Sequence, residues 1–249
     1  MPFVAKLSQR RPFAGLAFAV LAIFCGAFLF AEYTFAQETT EPEPVLQPQS
    51  RTVLQRLTSL QELPDGTWKM HEGDLAHGES VDLDDSAWQT IKRGTEASKD
   101  ALWFRQTYTI PETLNGYDLT GSRIWFQFHA DANGPMPQIL YFNGRRVALG
   151  DDLEPIVLFD GARPGDKVIV AVKLLHTVDM KRFQGATLHI DFPQNRPNPD
   201  DLRMEFQSAA LLLPSLAPGD QSKDATLNSA IQTVDLGALD AHDQAKFDS

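Results

Sequence analysis

The sequence contains a single cysteine, Cys25, among 249 residues. One thiol cannot close an intramolecular disulfide, so a disulfide-stapled scaffold and a thiolate metal site are both excluded. Positive charge is scarce as well: 22 Lys and Arg face 33 Asp and Glu, for a formal charge of −11. Such a surface repels phosphate backbones and anionic lipid heads, which argues against a nucleic-acid partner. Catalytic fingerprints are also missing. The chain has no G-x-S-x-G elbow, Walker loop, dinucleotide-binding glycine pattern or H-E-x-x-H helix, and no internal repeat. Core-forming residues are not lacking. Fractions of 43% hydrophobic and 22% charged are ordinary for a globular chain and exclude wholesale disorder.

The N-terminus reads as an address. Lys6, Arg10 and Arg11 precede an uncharged apolar run over 12–31, and Thr34-Phe35-Ala36 offers small residues where a signal peptidase cuts. The run is also long enough to serve as an uncleaved membrane anchor. Gln9-Arg10-Arg11-Pro12-Phe13 resembles a twin-arginine signal, although so apolar a run suits the general secretory route better. Phe24 before Cys25 argues against a lipoprotein. Cleavage would remove three positive charges and one negative, a net +2, taking −11 to −13. The expected location is the periplasm or the extracellular space, with membrane contact only through 12–31.

Residues 37–50 are rich in Pro, Glu, Gln and Thr and predict an extended linker. Val53, Leu54, Leu57 and Leu60 then fall at helical spacing, and Pro64-Asp65-Gly66 ends that helix with a turn. Beyond Thr67 the apolar period becomes two. Leu102, Phe104, Gln106, Tyr108 and Ile110 share one strand face, with Trp103, Arg105, Thr107 and Thr109 on the other. Similar alternation marks Ile124–Phe128, Val168–Leu174 and Leu188–Phe192. Asn143-Gly144 between apolar runs predicts a type I′ hairpin, because both central residues need positive φ. The expected fold is all-β: an antiparallel jelly-roll β-sandwich over 64–214, with an N-terminal signal helix and short flanking helices. Leu202–Leu213 is read as a final strand and Pro214–Gln221 as a linker. From Asp224 the spacing of Leu227, Ile231 and Val234 is helical to the last residue, as if a further domain should follow.

Asp84-Asp85-Ser86-Ala87-Trp88-Gln89-Thr90-Ile91, then Ala101-Leu102-Trp103-Phe104-Arg105, Ile110-Pro111, Tyr141-Phe142-Asn143-Gly144 and Pro164-Gly165-Asp166, occur in the order used by galactose-binding-like domains of glycosidases. From about Gly66 onward the segment order most resembles the N-terminal region of bacterial α-mannosidases of glycoside hydrolase family 38. The tail from Thr233 to Asp248 resembles the lead-in to their catalytic domain. The resemblance implies a non-catalytic accessory module whose partner is a catalytic domain of the same polypeptide. That catalytic domain would carry the zinc and the carboxylate nucleophile. His189-Ile190-Asp191 imitates part of the family's zinc motif, but Phe192-Pro193 follows where Ala-Trp belongs, and strand alternation puts His189 and Asp191 on the solvent face.

Within this chain the candidate residues are few. Asp82, Asp84 and Asp85 are candidate calcium ligands, against the plainer reading of a polar turn before Trp88. They are too close in sequence for glycoside hydrolysis, which needs two carboxylates about 5–10 Å apart across the bond. Trp68, Trp88, Trp103 and Trp125 could stack on sugar rings or pack a core, and Trp103 is the one singled out for stacking. The faces bearing Trp103 and Trp125 oppose those bearing Phe104 and Phe126, which predicts a sheet covered on both sides, with the flanking helices as cover. Asp131, Asn133 and Glu154 lie in loops flanking strands, as sugar hydroxyl contacts often do. His71, His77, His129 and His176 are too scattered for zinc. A free-standing exported carbohydrate-binding or interaction protein is the alternative to the accessory module. No catalytic residue is expected in this chain.

Overall fold

The structure is a computed structural model, and it describes residues 45–249. The signal-peptide and anchor readings, and the linker through residue 44, lie outside the described residues. An extended segment leads into α1 (Pro48–Thr58), which starts with proline at N1 and buries Ser50, Val53, Leu54 and Leu57, the face its spacing predicted.

Ten strands follow: β1 (Trp68–Glu72), β2 (Gln89–Ile91), β3 (Glu96–Ala97), β4 (Leu102–Thr109), β5 (Arg123–Asp131), β6 (Gln138–Phe142), β7 (Arg145–Gly150), β8 (Ile156–Asp160), β9 (Lys167–Leu174) and β10 (Lys181–Asp191). They form a six-stranded sheet in the order β2-β1-β4-β9-β6-β7 and a four-stranded sheet in the order β3-β10-β5-β8. Every pairing is antiparallel, so the chain is a two-sheet β-sandwich. From β4 the chain passes between sheets repeatedly, which brings the inward faces of β4 and β9 against those of β5 and β10. Asn143 and Gly144 take φ of 48° and 76°, as the β6–β7 turn requires.

The core is aromatic. Trp68 sits between the sheets, with ring centroids of Phe128, Phe183, Tyr108 and Phe126 at 5.4, 5.7, 6.3 and 6.3 Å. Phe104 stacks on Phe183 at 5.5 Å. Ile124, Leu188, Val170, Val172 and Leu174 are fully buried around them. The free edge of β10 is covered twice. β3 pairs with Lys181 and Arg182, and farther along Leu63 N–H donates to Leu188 O while Ile190 N–H donates to Gln61 O.

Two expectations need correction. Leu202–Leu213 is no strand: it belongs to α2 (Pro199–Leu216). Asn198 caps this helix by accepting from Asp200 N–H at 2.9 Å, Pro199 stands at N1, and Asp200 and Asp201 occupy the first turn. The segment has no β-branched residue, while Ala209, Ala210 and the leucines favour helix. The strands therefore end at Asp191, and the expected linker over Pro214–Gln221 is largely the end of α2 and the cap of α3 (Gln221–Ile231). The cover on the outer face of the six-stranded sheet is also different. It is supplied by the β1–β2 loop, and the helices pack elsewhere. Arg105 donates to Gly78 O at 2.8 Å, and a Cβ at Gly78 would stand 2.5 Å from the Trp103 ring.

The C-terminal helices α3, α4 (Leu236–Asp240) and α5 (Gln244–Phe247) lie against α1 and the β4–β5 connection. Asn228, in α3, is buried. It accepts from Ser50 Oγ at 2.6 Å and Gln47 N–H at 2.8 Å, and donates to Val45 O at 2.7 Å. Tyr117 is fully buried against Phe192 and Phe247, with the Arg196 guanidinium 4.9 Å from its ring centroid. Burial pushes its hydroxyl up to about 12, against the opposing pull of Arg196. Gly116 has φ of +86°, and a Cβ there would stand 2.0 Å from Leu239 O. Gly116→Ala should therefore cost more than about 1 kcal/mol through its backbone conformation alone. The clash should also push α4 away. Amide exchange should accelerate over Leu239–His242 while the sandwich strands keep their protection. Wild-type exchange in that stretch would show that α4 is not docked on this turn.

Candidate functional site

Loops from both sheets gather at one end of the sandwich: 73–88, 98–101, 132–137, 151–155 and 175–180. Between two of them, 132–137 and 175–180, and the strand β3 lies an open groove of about 460 Å³, lined among others by Glu96, Asp131, Asn133, Asp179 and Arg182. Two of the sequence-predicted hydroxyl contacts, Asp131 and Asn133, thus come together. Asp131 is oriented by Gln184, whose amide donates to its carboxylate, and Glu96 Oε1 pairs with Arg182 at 3.0 Å. Carboxylates fixed as acceptors beside a guanidinium suit the binding of hydroxyl groups. Glu154 is exposed on the β7–β8 loop and is not among the groove's lining residues.

The groove has a rigid floor. Lys181 is 1% exposed, and its ammonium donates to the carbonyls of Ser98, Lys99 and Asp100 at 3.2, 2.8 and 2.6 Å. Burial pulls its affinity for the proton down, with Asp100 opposing that shift. Three carbonyls around one buried cation hold the β3–β4 loop in place. Next to it, Val178 and Met180 project from the β9–β10 loop at 78% and 57% exposure, giving the rim an apolar lip.

Trp103 is elsewhere. It is 2% exposed, covered by Gly78, with Lys173 Nζ 5.3 Å from its ring centroid and Tyr141 beside it, so it presents no open face to a sugar. Trp88 and Trp125 remain partly open: Trp88 packs beside His71 and Arg105, and Trp125 lies on the outer face of the four-stranded sheet. Its indole N–H donates to Asp191 at 2.5 Å, and Arg123 lies 5.9 Å from the ring centroid. Strand parity separates Trp103 and Trp125 from the core faces equally, and only the long β1–β2 loop makes them different.

Asp82, Asp84 and Asp85 do not converge. Asp84 accepts from Ser86 N–H at 2.9 Å, and that bond holds its carboxyl below the usual carboxylate range. Asp85 is committed to two cations: Oδ1 to Lys69 Nζ at 2.7 Å and Oδ2 to Arg105 Nε at 3.0 Å. Partial burial works to raise its pKa, but the bonds from Lys69 and Arg105 prevail and hold it low. Arg105 is 2% exposed, so its charge depends on Asp85. The two motif segments Asp84–Ile91 and Ala101–Arg105 are joined through this pair. Among the described residues, no group of three or more His, Cys, Asp or Glu is placed to hold a metal ion. His189 and Asp191 are half exposed and 3.7 Å apart, beside Trp125.

No family model matches this sequence, and no curated protein does either. Among solved structures, it is similar to a glycosyl hydrolase family 2 member from Bacteroides cellulosilyticus at 21% identity and a TM-score of 0.41, covering 53% of this chain and 21% of that one. It is similar to a β-glucuronidase from glycoside hydrolase family 2 at 14% identity and 0.35, covering 53% and 17%. A β-glycosidase from Bacteroides vulgatus gives 18% identity and 0.36, covering 51% and 20%. The chain spans about a fifth of the length of these structures. Likeness this low bears on neither chemistry nor substrate.

Asp85→Asn should leave Arg105 buried without its counter-charge and destabilise the chain by about 2–3 kcal/mol. Because the folded-state pKa of Asp85 is depressed, its contribution is fully present above the ordinary carboxylate range and is lost as pH falls through the lower folded value. Urea unfolding of both proteins should therefore show a constant gap at neutral pH that narrows in acid. A gap that persists unchanged in acid would contradict the assignment.

Proposed function

We propose that this chain is the non-catalytic accessory module of an exported glycoside hydrolase, and more narrowly of an α-mannosidase. Its main task is to pack against the catalytic domain of the same polypeptide. The observation that carries this reading is α2. This helix has 18 residues, yet none after Pro199 is buried. Met204, Leu211, Leu212 and Leu216 are 51%, 78%, 52% and 76% exposed. Leu202 and Phe206 turn toward the core, and a cluster of large apolar side chains left exposed along the rest of one helix marks an interaction surface. No helix among the described residues is long and apolar enough to cross a membrane, and the exposed leucines of α2 are assigned to the catalytic domain.

The helical tail from Asp224, whose spacing suggested that a further domain follows, does not itself offer the exposed apolar face. Ile231, Ala238 and Leu239 are buried within the chain, while α2 offers the apolar face. The order of the motif segments supports the glycosidase assignment, and the Asp85–Arg105 pair ties two of those segments into one unit. Export rests on the basic start, the apolar run and the small residues at Thr34 and Ala36. Zinc belongs to the catalytic domain in this proposal, and calcium has no assembled site on Asp82, Asp84 and Asp85. The loop-end groove with Asp131 and Asn133 supports glycan contact as a secondary role.

The double variant Leu211→Glu with Leu212→Glu tests the reading. Both positions are exposed, so stability should stay within about 0.5 kcal/mol of wild type. Co-purification with a separately expressed catalytic domain should be lost. Retained co-purification, or unfolding of the variant, would show that α2 is not the docking face.

A further inference from the structure

We infer that a second, unassigned binding site lies at the edge of β10, and that it takes a neutral polyhydroxylated ring such as a single hexose unit. The free edge of β10 is covered by β3 at Lys181–Arg182, by Gly94 and Thr95 at Phe183, where Gly94 N–H donates to Phe183 O and Phe183 N–H to Thr95 O, and by Gln61–Leu63 at Leu188–Ile190. Between these covers the edge is open, at a β-bulge where register shifts between Phe183 and Gly185. Because Leu188 and Ile190 turn their backbone groups to this edge, alternation turns those of Ala186 the same way. One N–H and one C=O are thus presented to the gap, where no strand among the described residues receives them.

A cavity of about 520 Å³ opens at this gap, large enough for a small ligand. Glu62, Asp65, Arg93, His129 and Thr187 bring polar groups to it, and Leu63, Pro64 and Leu114 supply apolar wall. Several of these groups are fixed without being used up. Asp65 Oδ1 is held by Trp68 Nε1 at 2.7 Å and Tyr108 Oη at 3.0 Å, while Oδ2 points to Gly185, where a Cβ would stand 2.5 Å away. His129 Nε2 is paired with Thr187 Oγ1 at 2.9 Å, leaving Nδ1 free. Glu62 and Arg93 are exposed and make no side-chain hydrogen bond or ion pair among the described residues.

The charges decide the ligand class. Two carboxylates disfavour an anion and Arg93 disfavours a cation, so a neutral ligand meets the least opposition. A hydroxyl both donates and accepts. Neighbouring hydroxyls on a ring can donate to Glu62 or Asp65 and accept from Arg93 or the Ala186 N–H together, with the ring's C–H face on Leu63 and Pro64. None of the exposed apolar residues of α2 lines this cavity, so the site stands or falls separately from the docking reading.

The test is saturation-transfer NMR and calorimetry on the full chain with methyl glycosides of glucose, galactose, mannose and N-acetylglucosamine, and with glycine and acetate as charged probes. At least one methyl glycoside should bind saturably. Glu62→Gln and Arg93→Ala should each weaken it about tenfold, the loss of one hydrogen bond to a charged group. Asn133→Ala, in the loop-end groove, should leave it unchanged. The inference is overturned if no glycoside saturates, if Glu62→Gln and Arg93→Ala both bind as wild type, if Asn133→Ala abolishes binding, or if glycine or acetate binds more tightly than every glycoside.

Discussion

Burying the Trp68 indole between two sheets obliges the protein to supply a partner for one N–H in a place water does not reach, and Asp65 is that partner. The same carboxylate oxygen takes the Tyr108 hydroxyl, whose proton burial, reinforced by the Asp65 charge, makes much harder to remove. Around the indole, phenylalanines from both sheets close the core. The consequences reach outward. Asp65 must sit in the turn between α1 and β1, so that turn is anchored on the sandwich. Its second oxygen occupies the space a side chain at position 185 would need, and Gly185 answers with φ of +94°. The interruption of β10, and the cavity beside it, thus follow from how the core tryptophan is satisfied.

A second constraint acts on the outer face of the six-stranded sheet. β4 is buried on both faces at its start, because Trp103 and Arg105 lie under the β1–β2 loop. A buried guanidinium is tolerated only with a counter-charge and hydrogen bonds, and Asp85 and Gly78 O provide them. The acidic run before Trp88 is therefore a clamp that holds a loop over a sheet.

The division between what could be read and what could not is physical. Strand alternation from Leu102 to Ile110 and from Ile124 to Phe128, and the Asn143-Gly144 turn, depend on local backbone preference and period, which a sequence displays directly. The sandwich and the buried face of α1 were legible for that reason. The Leu202–Leu213 segment misled because a continuous apolar run suits a buried strand as well as a helix. Its lack of β-branched residues and the Asn198-Pro199 start were the signals to weigh. Trp103 and Trp125 are equivalent by parity, and a long-range loop decides between them. The convergence of Asp131 with Asn133 was readable from their placement beside a strand end. Of their partners, Glu96 comes from the short edge strand β3, which no period reveals, and Arg182 from the start of β10.

The chain thus separates two kinds of surface, polar grooves at the loop end and the β10 edge, and a helix whose Met204, Leu211, Leu212 and Leu216 are exposed among the described residues. The central claim, that this is a module built to pack on a catalytic domain of the same polypeptide, is met most directly by sequencing the encoding DNA beyond the codon for Ser249. The expected result is a continuing frame that enters a glycosidase domain bearing His-Ile-Asp followed by Ala-Trp. A stop codon directly after Ser249 would contradict it.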